Sequence, residues 1–596
     1  MRERLSVRQI AIVASIALCV RVAYALAFMR HYLPDSDADS YFSIGRAVSR
    51  GEGYAFSLPF EFVHATAIRP PLYPTVLAGA FRVFGAHVGV AQGVNIVAGS
   101  IAVVLGALIA ARISGPRAGL CAGIVLALYP PLIANDVVVL VESLAVLLVF
   151  ATVLLLIDGR TVLAGVSLGL LMLDRASAQW FVVVVAGWVV WRFGWQHAAR
   201  LVVVALLVAS PWIVRNAVQV GGPVLVATNG FNLNAIYSDE AHQSSGGFVD
   251  AYYDPRFANL RTESVDEVDL DARLRQHAWH DLRAHPARIM HVARVNAEHW
   301  LELRPGLNRN AERHDGRNLS VRDWTLPLFY LVTGAGLFAL VRARRAAAAQ
   351  LLALAAGYFT VVCLFSISVP RLRSVFDGCV ALGAGLALAW AIDRNVIHRN
   401  VIHRDVKVDD RPPEVRRLRA GRSAIVLGVI AAVVTTTALV WRADTQREAR
   451  RAVEHAVVRD ASAIDALVRQ YHARASSTEP PRLVQQDLDR IQDLTAVLGN
   501  RTPRVAGSLH PSVIDALRTV RVASHEASVI SLLSAAEFIH ATTEHRPPSR
   551  DAVRTRYERE IRPDDPTLEP WDEVLAGRSL RRARLALEGL RRIDGA

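Results

Sequence analysis

The stretch VVVLVESLAVLLVFATVLLLI, residues 137–157, decides the fold class because Glu142 is its only charged residue. A helix needs roughly twenty apolar residues to cross the hydrocarbon core of a bilayer. Similar blocks recur along the 596 residues, of which 52% are hydrophobic and 20% charged. This distribution predicts an all-α polytopic membrane protein rather than a soluble one.

Apolar windows of this kind predict about eleven transmembrane helices. The four cysteines fall inside these apolar blocks and are interpreted as small buried hydrophobic residues, not as a disulfide framework. The predicted spans cover residues 9–28, 88–111, 118–134, 137–157, 161–177, 178–193, 199–217, 323–342, 347–369, 374–392 and 423–441.

Arginines in the short loops predict the orientation of the chain. If the N-terminus is cytoplasmic, every basic short loop falls on the cytoplasmic side, as the positive-inside rule requires. Residues 71–85 must then form a helix at the membrane interface, because an additional span would reverse the later loops. Segments 29–87 and 218–322 become outer loops, the first containing juxtamembrane helices.

The same count divides the chain into four parts. Residues 1–392 form the transmembrane catalytic domain, and 393–421 form a basic cytoplasmic linker with a tandem RNVIHR repeat. Residues 422–441 are the last transmembrane helix, and 442–596 have the spacing of a helical soluble domain outside the cytoplasm. The expected location is the inner (plasma) membrane, as a multi-pass protein.

The net charge of +13 has two readings. In a soluble protein it would favour nucleic-acid binding. Here the arginines cluster in loops between apolar blocks, so the charge is assigned to membrane orientation, and no nucleic-acid partner is expected.

Three aspartates, Asp35, Asp37 and Asp39, crowd together just after the first span. Such a cluster could supply a general base for an acceptor hydroxyl or hold a divalent cation, which is the one cofactor left open. Alternatively, Asp35, Ser36 or Asp37 could cap a helix over residues 38–49. Composition alone does not separate these readings.

Arginines at outer positions form the second candidate feature. Arg69 precedes two prolines, which stiffen the turn, and a rigid arginine suits a phosphate; lipid-headgroup snorkelling is the alternative. Arg215, Arg371 and Arg373 also lie at outer ends of spans, against the positive-inside rule, and so suggest an anionic ligand. Glu142, Asp174 and Arg175 interrupt apolar sequence near the same face, where Asp174 and Arg175 could instead be a structural pair.

The order of these motifs resembles the glycosyltransferase C superfamily, in its bacterial branch similar to protein O-mannosyltransferases and the lipid A aminoarabinose transferase. The resemblance extends over residues 9–392. Its motifs are D-A-x-x-Y (Asp37 to Tyr41), G-x-G-Y (Gly51 to Tyr54), R-P-P-L-Y-P (Arg69 to Pro74), Y-P-P…E (Tyr129 to Glu142), G-L-x-x-L-x-R (Gly169 to Arg175), P-W-x-x-R-N (Pro211 to Asn216), T-N-G…N-L (Thr228 to Leu233) and R-x-R (Arg371 to Arg373). The sequences after Arg373 and Asn234 depart from the family pattern.

The resemblance implies transfer of a sugar from a polyprenyl-phosphate-linked donor to an acceptor hydroxyl or amine on a lipid, glycan or protein at the outer face. Asp37 would be the catalytic base, with Asp39 or Asp35 as substitutes. Arginines would hold the donor phosphate and stabilise the leaving group. The implied substrate-binding residues are Tyr41, Arg69, Tyr73, Glu142, Arg175, Arg215, Asn216, Arg371 and Arg373.

Two other functions fit a polytopic protein with outer arginines. A lipid or solute transporter would also carry intramembrane charges, but it usually has repeated halves and charges near the midplane. A ligase or polymerase of lipid-linked glycans would use similar outer arginines. Neither reading needs Asp37 as a base, so the carboxylate discriminates between them and sugar transfer.

Overall fold

The structure, a computed structural model, describes residues 5–30, 32, 34, 36–56, 64–244, 247–252, 254–264, 266–303 and 305–404. The predicted span at 423–441, the C-terminal domain at 442–596, Asp35 and most of the linker 393–421 lie outside these residues. The first residues of the linker continue a helix that ends at Arg404.

The membrane part is a multi-pass helical bundle. Six segments are long and apolar enough to cross a bilayer, and a bent pair could form a seventh span. The six are α1 (Val7–Phe28), α4 (Val88–Ser114), α10 (Trp195–Gln219), α17 (Leu319–Arg342), α18 (Ala347–Phe365) and Pro370–Asp393, which combines a 3₁₀ turn (Pro370–Arg373) with the start of α19 (Ser374–Arg404). The bent pair is α5 (Pro116–Leu128) and α6 (Pro130–Asp136), with 61° between them.

The predicted count of eleven spans is not confirmed. Each predicted span among the described residues falls on a helix, but three of these helices are too short to qualify. They are α7 (Glu142–Ile157), α8 (Thr161–Asp174) and α9 (Ala178–Phe193), with 16, 14 and 16 residues. A helix rises 1.5 Å per residue, so 14 residues extend only about 21 Å.

Small residues let the central helices pack closely, as is usual in membrane bundles. A Cβ on Gly336 of α17 would lie 2.1 Å from the Val380 carbonyl oxygen of α19. A Cβ on Gly385 would lie 2.2 Å from the Ala122 Cα of α5. The two glycines therefore bring α19 against both neighbours at the centre of the fold.

A buried ion pair ties the first helix to the bend between α5 and α7. Arg21 Nε lies 2.7 Å from Asp136 Oδ2, and both side chains are buried. Arg21 also donates to the carbonyls of Ala17 and Ala127. A charged pair inside a bundle is expensive to break, because the remaining partner would be buried without compensation.

Two segments that the sequence predicts to lie outside the cytoplasm, residues 29–87 and 218–322, are called the first and second outer segments. The first carries two helices, α2 (Asp37–Ser49) and α3 (Leu72–Phe84), and a small antiparallel pair of strands, β1 (Ala55–Phe56) and β2 (His64–Ala65). The 13-residue α3 falls where a short interfacial helix is predicted. Gly45 of α2 packs against α3, where a Cβ would lie 2.9 Å from Leu77 Cβ.

The second outer segment is helical as well. A small core of its own, which includes Phe257, Leu270 and Leu274, holds it together. Its helices are α11 (Asn229–Tyr237), α12 (Asp239–Gln243), α13 (Ala258–Glu263), α14 (Glu267–Ala284), α15 (Arg288–Trp300) and α16 (Pro305–His314), with a 3₁₀ turn at Pro255–Phe257.

Candidate functional site

The centre of the candidate site is a carboxylate between two guanidinium groups. Asp37, the first residue of α2, accepts from Arg69 Nη2 through Oδ1 and from Arg371 Nη2 through Oδ2. The three residues come from α2, from the loop before α3, and from the 3₁₀ turn before α19. Because its carboxylate faces the arginines, Asp37 does not cap the helix that it begins, which the alternative prediction assumed.

Backbone geometry positions Asp37. Ser36, at the N-cap of α2, has a φ of +52°, a left-handed conformation that non-glycine residues rarely adopt. Its side chain makes no cap hydrogen bond. Ser40 Oγ, one turn later, donates to the Asp37 carbonyl. The helix start is therefore shaped to present Asp37.

Arg69 is held rigidly, as its two prolines predict. Its Nε donates to Ser40 Oγ at 2.8 Å, and its guanidinium lies 5.2 Å from the centre of the Tyr41 ring. The Tyr54 hydroxyl donates to the carbonyls of Arg69 and Pro70, both at 3.0 Å. An arginine fixed in this way loses little entropy when it binds an anion.

A contact from the second outer segment fixes the residues between β2 and Arg69. Thr66 Oγ1 donates to Glu267 Oε1 at 2.5 Å, and the Ala67 amide donates to Glu267 Oε2 at 2.8 Å. Glu267 lies at the start of α14 and is buried. The two outer segments are thereby joined next to the site.

Arg371 also contacts a second carboxylate, that of Asp315. Its Nε lies 3.4 Å from Asp315 Oδ2, while its Nη2 contacts Asp37. No sequence pattern marked Asp315, which lies in the polar stretch between α16 and α17. Its side chain is mostly buried, and this burial raises the pKa of the Asp315 carboxyl, with Arg371 opposing the shift.

The arginines dominate the electrostatics of Asp37. Burial by itself would raise the pKa of the Asp37 carboxyl, but the charges and hydrogen bonds of Arg69 and Arg371 outweigh it. The pKa of Asp37 is therefore held well below its ordinary value. In this state Asp37 is a counter-ion to the arginines and a weak base.

Other predicted residues lie next to the Asp37 centre. Tyr41 and Tyr73 are buried and pack edge to face, with ring centroids 5.5 Å apart. Glu142 and Asp174 are buried, and within the described part of the chain Glu142 Oε2 and both Asp174 oxygens have no hydrogen-bond partner. Unpaired buried carboxylate oxygens are costly, so these acceptors suit a ligand that brings donors.

Asp174 and Arg175 make no hydrogen bond to each other within the described residues. Arg175 Nη2 donates to the Leu372 carbonyl at 3.4 Å, and its guanidinium lies 5.5 Å from the Phe359 ring centre. The alternative reading of a structural Asp174–Arg175 pair therefore has no hydrogen bond to support it among the described residues.

Arg373 faces away from Asp37. Its Nη1 lies 3.0 Å from Glu302 Oε1 and its Nε lies 3.2 Å from Asp377 Oδ2. Its guanidinium also stacks over Phe329, at 4.0 Å from the ring centre. Glu302 in turn pairs with Arg322, so Arg373 belongs to a buried ion network.

Arg215 and Asn216 donate to backbone carbonyls, those of Arg215 in the first outer segment and that of Asn216 in the second. Arg215 donates to the carbonyls of Thr66 and Tyr54, at 2.7 and 2.9 Å. Asn216 Nδ2 donates to the Val224 carbonyl at 2.7 Å. Arg215 therefore holds the loop that carries Arg69, and Asn216 holds the backbone that follows α10.

Asp37 does not suit a divalent cation, because each of its oxygens already faces a guanidinium. Asp39 lies two residues further along α2 and accepts from Ser43 Oγ at 3.3 Å. Asp35 lies outside the described residues. The described geometry of the aspartate cluster thus fits a base better than a metal site.

Comparisons of the sequence with protein-family models and with curated proteins found no match. Among solved structures, the chain is similar to the archaeal oligosaccharyltransferase AglB from Archaeoglobus fulgidus, in complex with an inhibitory peptide and a dolichol-phosphate. The identity is 14% and the TM-score 0.40, over 79% of this chain and 59% of that chain. The chain thus spans less than two thirds of the length of AglB.

A second similar structure is ArnT from Cupriavidus metallidurans. The apo form has 14% identity and a TM-score of 0.39, over 88% of this chain and 79% of that chain. The form bound to undecaprenyl phosphate has 14% identity and a TM-score of 0.36, over 89% and 79%.

Proposed function

We propose that this protein is a membrane glycosyltransferase that moves a sugar from a polyprenyl-phosphate-linked donor to an acceptor hydroxyl or amine outside the cytoplasm. The observation that carries the proposal is the position of Asp37 between Arg69 and Arg371. Two rigid cations and one carboxylate supply the groups that a displacement at an anomeric carbon requires: an anion site for the leaving phosphate and a base for the nucleophile.

The donor phosphate would compete with Asp37 for the same guanidinium groups. Arginine binds phosphate through paired, charge-assisted hydrogen bonds, which are stronger than those between neutral groups. Once the phosphate shares Arg69 and Arg371, Asp37 loses part of its positive surroundings. Its pKa then rises toward the ordinary carboxyl value, so donor binding converts a counter-ion into a base.

In the reaction, the acceptor oxygen or nitrogen attacks the anomeric carbon and its proton passes to Asp37. The bond between that carbon and the phosphate oxygen breaks, and the electron pair remains on polyprenyl phosphate. Arg69 and Arg371 stabilise the added negative charge. The configuration at the anomeric carbon inverts.

Glu142, Asp174 and Tyr73 are proposed to form a sugar-binding pocket beside Asp37, where the unpaired carboxylate oxygens would accept from sugar hydroxyls. Tyr41 and Arg175 shape its walls. Arg215, Asn216 and Arg373 are proposed to position other parts of the protein and not to bind the phosphate. Their N–H groups already face acceptors within the protein.

The proposed location is the plasma membrane, with a cytoplasmic N-terminus and an extracytoplasmic C-terminal domain. Reporter fusions after Tyr54 and after Ala596 test this orientation, and both should report the outer side. A cytoplasmic signal from the Tyr54 fusion would place Asp37 on the wrong face for the proposed reaction.

The activity test measures release of polyprenyl phosphate from a panel of polyprenyl-phosphate sugars by the purified protein. The Asp37→Asn variant should lose about 10²- to 10⁴-fold in rate, the usual contribution of a general base. Asp254→Asn is the matched control, since Asp254 pairs with Arg256 at 2.7 Å elsewhere in the outer segment. Equal turnover by Asp37→Asn and wild type would show that Asp37 is not the catalytic base. The alternative function, a ligase of lipid-linked glycans, would remain compatible with that result.

A further inference from the structure

A histidine and two carboxylates converge in the second outer segment. His277 and Asp281 lie one turn apart on α14, and Glu240 comes from α12. His277 Nε2 lies 3.1 Å from Glu240 Oε2 and 3.6 Å from Asp281 Oδ2. All three ligand atoms lie within 4.8 Å of one another.

These separations match a tetrahedral metal centre. Zinc bonds of about 2.0–2.2 Å to nitrogen and oxygen place neighbouring ligand atoms about 3.3–3.6 Å apart. One imidazole and two carboxylates form a three-residue protein set, which leaves a fourth position for water. His277 retains 33% exposure of its side chain and Glu240 20%, so solvent reaches the cluster.

Hydrogen bonding alone leaves this cluster incomplete. A neutral imidazole has one N–H, and a single proton on His277 Nε2 cannot serve both Glu240 and Asp281. Within the described part of the chain, only imidazoles come within ion-pair range of these two carboxylates. The contrast with Asp37 is clear, since Asp37 is neutralised by two arginines. Two negative charges without a matching cation suit a divalent ion.

Surrounding contacts hold the ligands in place, as in established metal sites. The Asp239 amide donates to Asp281 Oδ2 at 2.9 Å, and the Asp239 side chain pairs with Arg288 at 2.5 Å. The His277 ring meets Phe257 edge to face, with centroids 5.7 Å apart. The carboxylate of Asp281 is only 8% exposed.

We propose that Glu240, His277 and Asp281 bind one Zn²⁺ ion that joins α12 to α14. Mixed nitrogen and oxygen ligands at tetrahedral spacing favour zinc over magnesium or calcium, which require more oxygen ligands. The ion would stabilise the outer segment whose α14 also supplies Glu267 to the loop before Arg69. The site is separate from the proposed sugar transfer, and its test does not depend on that activity.

The test uses the purified full chain, stripped with a chelator and titrated with Zn²⁺ against a competing indicator. Wild type should bind one equivalent. His277→Ala and Glu240→Gln should each weaken binding by at least tenfold, because each removes a ligand. Gln276→Ala is the matched control on the same helix, since its uncharged side chain is exposed, and it should change the affinity by less than about threefold.

A spectroscopic experiment tests the proposal even if one of these substitutions disturbs folding. Substitution with Co²⁺ should give visible bands typical of four coordination, and His277→Cys should retain the metal and add a thiolate-to-metal band in the near ultraviolet. No zinc on wild type would overturn the proposal. So would equal zinc affinity in wild type, His277→Ala and Glu240→Gln, because the metal would then lie elsewhere.

Discussion

Arg371 and Arg373 are separated by a single residue, yet their guanidinium groups bind different carboxylates. Arg371 contacts Asp37, whereas Arg373 lies 3.0 Å from Glu302 and 3.2 Å from Asp377. The 3₁₀ turn at Pro370–Arg373 has three residues per turn, so residues two apart project in different directions. One arginine is thus available to a ligand and the other is fixed in a buried network.

The Arg373→Ala variant should be strongly destabilised. It leaves Asp377 buried without its cation and Glu302 with Arg322 alone, and breaking a buried pair in this way costs about 3–5 kcal/mol. Thermal unfolding of the purified protein measures the effect, with Arg345→Ala as a control at an exposed loop arginine. If Arg373→Ala melted like wild type but failed to bind polyprenyl phosphate, Arg373 would be a donor ligand after all.

The Arg371→Ala variant should show the reverse pattern. Asp37 keeps Arg69 as a partner, and Asp315, whose pKa is already raised by burial, can lose its charge by protonation. The melting temperature should therefore fall less than in Arg373→Ala. Turnover should fall about 10²- to 10³-fold, because one donor to the developing phosphate charge is lost. Titration with polyprenyl phosphate should show weaker binding, and Arg371→Lys should recover part of it. A large loss of stability with unchanged phosphate affinity would contradict this role.

The comparison of these two arginines shows what the sequence could predict. The sequence identified both as arginines at a predicted outer helix end, against the positive-inside rule. The direction of each side chain, however, depends on the 3₁₀ turn and on partners far along the chain. Glu302 and Asp315 are such partners, and no local pattern marks them. The Asp37 motif, by contrast, was visible because its three acidic residues follow directly after a span.

The bundle itself was predictable because its apolar blocks are long and continuous. The number of spans was less certain, because α7 and α8 begin or end at polar residues inside those blocks. Glu142 begins α7, and Asp174 ends α8. Hydropathy windows extend across such residues, whereas the helices end there.

The pH dependence of turnover tests the exchange of partners at Asp37. In the free enzyme the pKa of Asp37 is held well below its ordinary value, so Asp37 is already ionised across the working range. The acid limb of kcat/KM due to Asp37 should therefore lie below pH 4, the ordinary carboxyl range. The acid limb of kcat should lie at higher pH, because the bound phosphate shares the arginines.

The control for this measurement is Arg69→Lys, which keeps one charge but loses the paired geometry. It should move the acid limb of kcat/KM upward, toward that of kcat. Coincident acid limbs for kcat and kcat/KM in wild type would show that donor binding does not release Asp37 from the arginines.

Asp250, in the second outer segment, has a pKa shift opposite to that of Asp37 and therefore gives a prediction of opposite sign. Burial raises the pKa of this carboxyl to about 6, although its Oδ1 accepts the Tyr252 amide at 2.9 Å. Since the pKa in the folded state lies above the ordinary value, the folded protein favours the protonated form. The stability that this protonation contributes is present at low pH and is lost as the pH rises through about 6.

The Asp250→Asn variant removes the buried charge and keeps the acceptor for Tyr252. It should therefore be more stable than wild type by about 2–3 kcal/mol at pH 8, by about half of that at pH 5, and nearly equal to it at about pH 3, as measured by thermal unfolding. Asp254→Asn is the counterpart: Arg256 outweighs burial and lowers the pKa of Asp254, so this variant should lose stability at pH 8. The same response of both variants to pH would show that burial does not control the ionisation of Asp250.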